Sequence, residues 1–144
     1  MQPVVLRIGT IWGPLVDPES PFYPIPSYIS AVLRGDEPPP LHADDGGDSC
    51  YAPDAGRAIA LLMTTETLRH DTYNVSSGRP AANRDFAAAL QAVVPGARPG
   101  LEPGGQSGPY LDIARLTRDT GFTPAFDVAA AVADYVAWRA ANPR

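Results

Sequence analysis

The chain has 144 residues, of which 44% are hydrophobic and 19% charged, and its formal net charge is −5. This composition is typical of a single folded domain and excludes a chain that is disordered throughout. The acidic balance offers no positive surface to nucleic acids or anionic membranes, so we expect neither as a partner. All eleven basic residues are arginines. Without lysine, these residues contain no Schiff-base lysine, no P-loop lysine and no Tyr-Lys catalytic pair.

The cysteine content and the start of the chain bear on the compartment. Cys50 is the only cysteine, which excludes an intrachain disulfide. It lies in the segment SCYA without a histidine pattern beside it, so we expect a small core residue rather than a nucleophile. The start MQPVVLRIG lacks the features of a signal peptide, and no apolar run approaches the ~20 residues of a membrane helix. We therefore expect a soluble, cytoplasmic protein.

The first third of the chain predicts one strand and one helix. The apolar residues 4–9 (VVLRIG) predict a strand that is covered on both faces, and a Gly-Pro pair follows it. Such a strand needs parallel neighbours, and we expect none inside this chain. The proline-rich residues 15–24 predict a loop. A helix is predicted over 26–34 and should end at Gly35.

The middle of the chain predicts a hairpin followed by a helix. The triple proline 38–40 excludes a helix there. The DDGGD segment 44–48 predicts a tight turn between two short strands, LHA and SCYA, with its acidic residues on a solvated tip. Asp54 is expected to cap the next helix, which is predicted over 55–68.

The remaining elements are a strand and three helices. A strand is predicted over 72–77, and Asn83 should cap the helix that follows it. The glycine-rich residues 100–108 predict either a lid or a disordered loop. Asp112 and Asp127 are expected to cap the last two helices, and Gly121 should end the first of these two. The pattern of helices and short strands indicates a fold class between α/β and α+β.

Residue types alone point to a pocket but to no chemistry. The two histidines, His42 and His70, lack the paired spacing of a zinc site, so we predict no metal site. Thr10 is a polar residue at a strand end, where α/β proteins contact ligands. Aromatic residues on or beside loops can line a pocket for sugars or flat rings, although each alone fits ordinary packing. These residues are Trp12, Tyr23, Tyr28, Tyr51 and Tyr110.

Five segments carry a resemblance to a known family. In chain order they are VVLRIGTIWGP, CYAPDAGRAIALL, YNVSSG, LDIARLTRDTGFTP and DYVAW. Together they resemble the C-terminal half of an extended short-chain dehydrogenase/reductase, of the NAD-dependent epimerase/dehydratase family. The resemblance implies the C-terminal lobe of a Rossmann-type fold, mostly helices with a few short strands, without the N-terminal dinucleotide-binding sheet. It also implies one partial domain over 1–144, with the last Rossmann strand and its loop in 1–14 and the helices and short strands in 15–144.

The resemblance implies a function that needs further residues. In that family the glycine-rich dinucleotide turn, a catalytic Ser or Thr and a Tyr-x-x-x-Lys pair precede the segment that RIGTIWGP resembles. None is present here, so we expect no catalytic residue in this chain. The implied function is the substrate-binding portion of an NAD(P)-dependent epimerase, dehydratase or oxidoreductase that acts on a sugar or a related hydroxy/keto compound. The alternative is a stand-alone, non-catalytic metabolite-binding or regulatory module derived from that family.

The implied cofactors and partners follow from the same resemblance. NAD or NADP is expected in the full-length family member, and no cofactor is expected to bind this chain alone. The expected partners are a sugar-like substrate and either a missing N-terminal half or a second copy. Thr10 and Ile11 are the expected cofactor contacts. The expected substrate contacts are Thr10, Ile11, Trp12, Tyr28, His42, Tyr51, Arg79 and Arg115.

Two departures from the family concern the substrate. Nucleotide-sugar members carry a diphosphate-binding Arg at the position of Gly47, and a second one in the region that 106–111 resembles, where this chain has none. Arg79 and Arg115 are the candidate replacements if the loops are rearranged. The departures favour a smaller substrate, such as a free sugar, a uronic acid or another hydroxy/keto compound.

Overall fold

The computed structural model describes residues 3–18, 20 and 22–142, so both ends of the predicted domain and two positions of the predicted loop 15–24 lie outside it. Its described residues form six short strands and five helices. The strands are β1 (Val5–Ile8), β2 (Ile11–Trp12), β3 (Gly46–Asp48), β4 (Cys50–Tyr51), β5 (Thr72–Val75) and β6 (Pro80–Ala82). The helices are α1 (Ile25–Arg34), α2 (Ala52–Thr64), α3 (Asn83–Val93), α4 (Ala114–Thr120) and α5 (Val128–Ala141). This mixture confirms the predicted fold class.

The strands pair in three two-stranded sheets among the described residues. β1 is parallel to β5, with Val5 opposite Thr72 and Ile8 opposite Val75. β2 is parallel to β4, whereas β3 is antiparallel to β6. Each pair joins a strand from the first half of the chain to a later segment, so the pairings tie distant parts of the sequence together.

The strand VVLRIG forms, but its predicted environment was wrong. It has a parallel partner inside the chain, and it is not covered on both faces, because Val5 is 60% and Ile8 43% exposed. The partner β5 follows only after α1 and α2, so no local pattern could reveal the pairing. The apolar outer side of β1 is left uncovered by the described residues.

The predicted hairpin was also wrong. The glycine pair of DDGGD does not turn the chain but lies in β3, which pairs with β6. A Cβ at Gly46 would lie 2.2 Å from the carbonyl oxygen of Ala81, so glycine is needed for the close approach of two strands. In the predicted strand LHA, His42 forms an isolated parallel bridge with Glu102. SCYA contributes β4, whose partner is β2.

The glycine-rich residues 100–108 are not a loose loop. The N–H of Glu102 donates to the carbonyl oxygen of Leu41 at 2.9 Å, and its own carbonyl accepts from Ala43 at 2.8 Å. The N–H of Gly108 donates to the carbonyl of Gly46 at 2.8 Å. The prediction of a disordered loop was therefore wrong, because backbone hydrogen bonds hold this segment along residues 41–46. The alternative, a lid, stays a prediction.

Three of the residues predicted to end or cap a helix have that role in the structure. Gly35 and Gly121 follow α1 and α4 with φ of 76° and 71°, which confirms both predicted ends. Asp127 caps α5, because its carboxylate accepts the N–H of Ala130 at 2.8 Å. α2 ends at Thr64 and is therefore shorter than predicted.

The other predicted caps were wrong or displaced. Asp54 lies inside the first turn of α2, and its carboxylate accepts the N–H groups of 125–126 instead. Asn83 is the first residue of α3, and its side-chain amide donates to the carbonyl of His42 at 2.9 Å. Asp112 lies two residues before α4 and accepts the N–H of the first residue of that helix at 2.8 Å. In the first two cases the side chain hydrogen-bonds to a backbone group that is distant in the sequence, and so it does not cap its own helix.

Two hydrophobic clusters form the core. The first joins α1, α3 and α5 around the ring of Trp12, which is 1% exposed. The second lies between α2, β5 and α4 and includes Cys50, which confirms the predicted packing role of this cysteine. Among the described helices, none has the length and apolar content that crossing a membrane requires.

Candidate functional site

Two clefts lie beside the carboxyl end of β1 and share Thr10 and Tyr23 in their walls. The strand-end cleft, of about 310 Å³, also contains Ile11 and Val16. The acidic cleft, of about 350 Å³, is further lined by residues of 41–48, by Asn83, by Pro24 and by the Gly-Pro pair 108–109. Both volumes lie near the lower end of the roughly 300–1,000 Å³ of small-molecule pockets.

Asp48 organises the wall between these clefts. One carboxylate oxygen accepts the N–H of Thr10 at 3.2 Å. The other accepts the N–H of Leu111 at 3.3 Å and the hydroxyl of Ser76. A Cβ at Gly9 would lie 1.7 Å from the first oxygen, so this close approach requires glycine. Asp48 thus joins the ends of β1 and β5 to the segment before α4, and its predicted place on a solvated tip was wrong.

The two ionisable groups beside Asp48 stay protonated at neutral pH. Burial raises the pKa of Tyr23 to about 12, the negative charge of Asp48 raises it further, and a weak hydrogen bond to Ser49 opposes both. Burial likewise raises the pKa of the Cys50 thiol to about 12, with further contributions from the charges of Asp48 and Asp54. Neither group is therefore an anionic base or nucleophile at neutral pH.

A third, narrow crevice of about 20 Å³ lies between Trp12, Tyr51 and Arg79. That volume holds little more than one water molecule. Tyr51 is buried, and its hydroxyl donates to the carboxylate of Asp134 at 2.6 Å. Burial and this hydrogen bond to a carboxylate both raise the pKa of Tyr51. Arg79 is exposed and donates to the carbonyl of Phe126 at 3.4 Å.

The predicted contacts fall into three groups. Thr10 and Ile11 both line the strand-end cleft. Trp12 and Tyr51 contact each other in the core with ring centroids 4.9 Å apart and planes tilted by 50°, and Arg79 joins them only at the crevice. These three side chains do not line either larger cleft.

The remaining predicted contacts lie elsewhere. Tyr28 is fully buried in α1, and its hydroxyl lies 3.4 Å from the carbonyl oxygen of Gly100. His42 is exposed, with its Nδ1 3.7 Å from the carboxylate of Glu102. Arg115 is exposed on α4. None of the three lines the clefts described above, and the described residues contain no group of three side chains able to hold a metal ion.

Tyr23, one of the aromatic residues named as a possible pocket wall, lines both clefts, whereas Asp45, Asp48 and Asn83 were not expected to line a site. Tyr23 is an aromatic residue between prolines, shortly after the strand-end segment, and this is the only local signal for it. Asp48 carried no usable signal, because its partners Thr10, Ser76 and Leu111 are all distant in the sequence.

Solved structures share the fold of this chain. The chain is similar to a dTDP-glucose 4,6-dehydratase from Bacillus anthracis in complex with NAD, with a TM-score of 0.77 and 18% identity over 97% of this chain and 45% of that one. It is also similar to a UDP-glucose 4-epimerase from Thermotoga maritima with UDP-glucose, with a TM-score of 0.78 and 20% identity over 98% and 47% of the two chains. The chain has the fold of part of an extended short-chain dehydrogenase/reductase. This confirms the fold that the five segments predict.

A third similar structure is a dTDP-glucose 4,6-dehydratase from Streptomyces venezuelae with NAD and TYD bound. Its TM-score is 0.74, with 23% identity over 99% of this chain and 45% of that one. The chain thus spans slightly less than half the length of each of these enzymes. No family model and no curated protein matches the chain.

Proposed function

We propose that this chain is the substrate-binding portion of an NAD-dependent enzyme that epimerises, dehydrates or oxidises a sugar or a related hydroxy/keto compound. The observation that carries the proposal is that nearly all of this chain matches less than half of such enzymes, with TM-scores of 0.74 to 0.78. The clefts beside Thr10 supply a place for the substrate. In this proposal residues 1–14 are the last strand and loop of the dinucleotide-binding half, and 15–144 form the substrate-binding lobe.

The described residues do not fit a complete NAD site. A dinucleotide pyrophosphate needs a glycine-rich turn from a strand into a helix with free N–H groups. Here α2 and α3 follow β4 and β6 directly, with no such turn between them. α1 starts between Pro24 and Pro26, which have no N–H to donate. We therefore assign the turn that binds the pyrophosphate of NAD or NADP, and the catalytic residues, to a second half. Thr10 and Ile11 would contact the cofactor from this chain.

An uncovered apolar surface supports a second half. We call it the β1 face. It comprises the exposed side chains of Val5 and Ile8 on β1 and a groove of about 550 Å³ between β1 and the end of α2. Leu6 and Leu62 line the groove, and Met63 on its rim is 80% exposed. β1 has one strand partner among the described residues, so its other edge has free backbone groups. A strand and a helix of a dinucleotide-binding half would cover both features.

Within this proposal, the chain's own residues bind and orient the substrate. Asp48 fixes the backbone of Thr10, which places that residue in the walls of both clefts. The apolar side chains of Ile11 and Val16 in the strand-end cleft reduce the access of water to a ligand there.

A stand-alone binding module is the second candidate, and one observation favours it. β1 pairs with β5 inside the chain, and two hydrophobic clusters are formed by the chain's own residues. The fold therefore does not depend on another polypeptide for the pairing of this strand. In this candidate a second copy covers the β1 face, and the clefts bind a metabolite without converting it.

Calorimetric titration of the purified chain with NAD and with NADP tests the main proposal. We expect no saturable heat from either nucleotide, because the turn that binds the pyrophosphate lies in the second half. A micromolar dissociation constant would overturn the division into two halves. Sedimentation of the same sample distinguishes the candidates further. A stable dimer at low concentration favours the stand-alone module, whereas a separated half with an exposed β1 face should associate only at higher concentration.

A further inference from the structure

We propose that the acidic cleft binds an uncharged or amino-bearing, hydroxyl-rich ligand of monosaccharide size and excludes the diphosphate of a nucleotide sugar. This inference rests on the proposed function, because it takes the acidic cleft as the substrate site. It concerns which chemical groups the walls of that cleft can accept.

The charged side chains in the wall are carboxylates, and no cation lies among them. Asp45 and Asp48 contribute carboxylates, and no Arg or His lines the cleft. A buried diphosphate requires several donors, for which the fork of an arginine is best suited. Arg84 lies two residues after the end of β6. It forms an ion pair with Asp44 and does not line the cleft. A diphosphate here would face carboxylates without a compensating charge.

Three backbone N–H groups at the start of α3 already donate to other groups of the chain. At the start of α3, the N–H of Asn83 donates to the carbonyl of Asp45 at 2.8 Å, and the N–H of Arg84 donates to Ala43 at 3.0 Å. The N–H of Ala82 is taken by the carboxylate of Asp85. This helix start therefore has fewer N–H groups to offer an anion than helix N-termini usually have.

The prolines and glycines of the wall complete this pattern. Pro24 and Pro109 have no N–H, so neither supplies a donor. Gly47 has a φ of 149°, and a Cβ there would lie 3.1 Å from the carbonyl oxygen of Pro109. An arginine at this position would be strained, so the cleft cannot acquire a cation there without moving its backbone.

The remaining polar groups suit a ligand that donates hydrogen bonds. One carboxylate oxygen of Asp45 accepts the N–H of Gln106 at 2.9 Å, and the carboxylate has further acceptor capacity. The hydroxyls of Thr10 and Tyr23 both accept and donate. Sugar hydroxyls and an ammonium group supply the donors that these acceptors need, and a volume of about 350 Å³ suits a single ring better than a nucleotide sugar.

Amide chemical shifts of the ¹⁵N-labelled full chain test the inference. The four probes are methyl glucoside, glucosamine, inorganic pyrophosphate and UDP-glucose, each titrated separately. The reporters are the amides of Thr10, Gly46, Gly47 and Gly108, which lie in the cleft wall. We expect saturable shifts with the glucoside and with glucosamine, and none at these amides with pyrophosphate or UDP-glucose.

Two variants identify the groups responsible. Asp45→Asn keeps an acceptor but removes a charge, so we expect glucosamine to bind about fivefold more weakly while methyl glucoside changes less than twofold. The matched control is Asp36→Asn, because Asp36 is exposed beside the C-terminus of α1 and its carboxylate pairs with Arg34, outside the cleft wall. The control should alter neither affinity. Equal effects of the two variants on glucosamine would overturn the role of Asp45.

The titrations separate failure of this inference from failure of the proposed function. Saturable shifts of the cleft amides by UDP-glucose or pyrophosphate would overturn the inference and leave the proposed function intact. No shift with any of the four probes would overturn both the inference and the use of this cleft as the substrate site.

Discussion

At the scale of single residues, Asp48 determines the shape of the candidate site. Its carboxylate replaces water as the partner of Thr10, Ser76 and Leu111, three groups that come from different parts of the sequence. Gly9 permits this contact because it has no Cβ. A side chain that no local pattern marks thus fixes the strand end on which Thr10 lies.

Replacing Asp48 should destabilise the fold. We expect Asp48→Ala to lower the free energy of unfolding by about 3 kcal/mol, because hydrogen bonds to charged groups contribute roughly 1.5–3 kcal/mol and three donors lose their acceptor. Urea unfolding measures this loss. Asp36→Ala is the control, and its exposed ion pair with Arg34 should contribute less than about 1 kcal/mol. Equal losses in the two variants would contradict the role of Asp48.

The phenol of Tyr23 should make the protein less stable at alkaline pH. Its pKa rises from 10.0 to about 12 in the folded state. Folding therefore favours the protonated phenol, and this stabilisation is present below pH 10 and is lost as pH rises from 10 to 12. Tyr23→Phe should reduce the decline of stability in that window by up to about 1.4 kcal/mol per pH unit. Urea unfolding at a series of pH values measures the slope, and an unchanged slope would contradict the raised pKa.

At the scale of elements, Asp54 anchors the segment before α5 to the first turn of α2. Its carboxylate accepts the N–H of Ala125 at 3.0 Å and that of Phe126 at 3.1 Å, and it pairs with Arg57 at 2.6 Å. The carboxylate is buried, so removing it leaves two backbone donors without a partner.

Hydrogen exchange tests this anchor. We expect Asp54→Ala to accelerate exchange at the amides of Ala125 and Phe126 by at least about tenfold, which corresponds to roughly 1.4 kcal/mol. Asp127→Ala, which removes the N-cap of α5, should accelerate exchange at Ala130 instead. Faster exchange at 125–126 in the second variant alone would show that the cap, not Asp54, holds the segment.

The elements also show what the sequence could predict. Gly35, Gly121 and Asp127 act on their own helix ends, so local patterns were sufficient for them. Asp54 and Asn83 look like caps in the sequence, but distant backbone groups bind their side chains. The strand pairings were inaccessible for the same reason, because all three join segments that are far apart.

The candidate site also contains residues that local patterns identify and residues whose positions depend on distant contacts. Thr10 and Ile11 were predicted because they follow an apolar strand, and both line the strand-end cleft. Tyr23 and Asp48 could not be placed, because their positions depend on how α1, β3 and the strand ends meet. Contacts between distant segments therefore decide the electrostatics of the site.

At the scale of the whole molecule, the β1 face is the feature that a second half or a second copy must cover. An exposed apolar strand edge promotes association. We expect the purified chain to self-associate, and Val5→Lys to weaken that association at least tenfold in sedimentation experiments. Val93→Lys, at the exposed end of α3, is the control and should leave association unchanged. Equal behaviour of both variants would place the association surface elsewhere.

The most direct measurement is the size and cofactor content of the native protein in its source cells. An antibody against α5 should detect a complex or polypeptide at least about twice the 15.2 kDa of this chain, as a two-lobed enzyme requires. Purified by that antibody under native conditions, it should release NAD or NADP on denaturation. A species that contains only copies of the 15.2 kDa chain and releases neither nucleotide would contradict the assignment to an NAD-dependent enzyme and favour the stand-alone module.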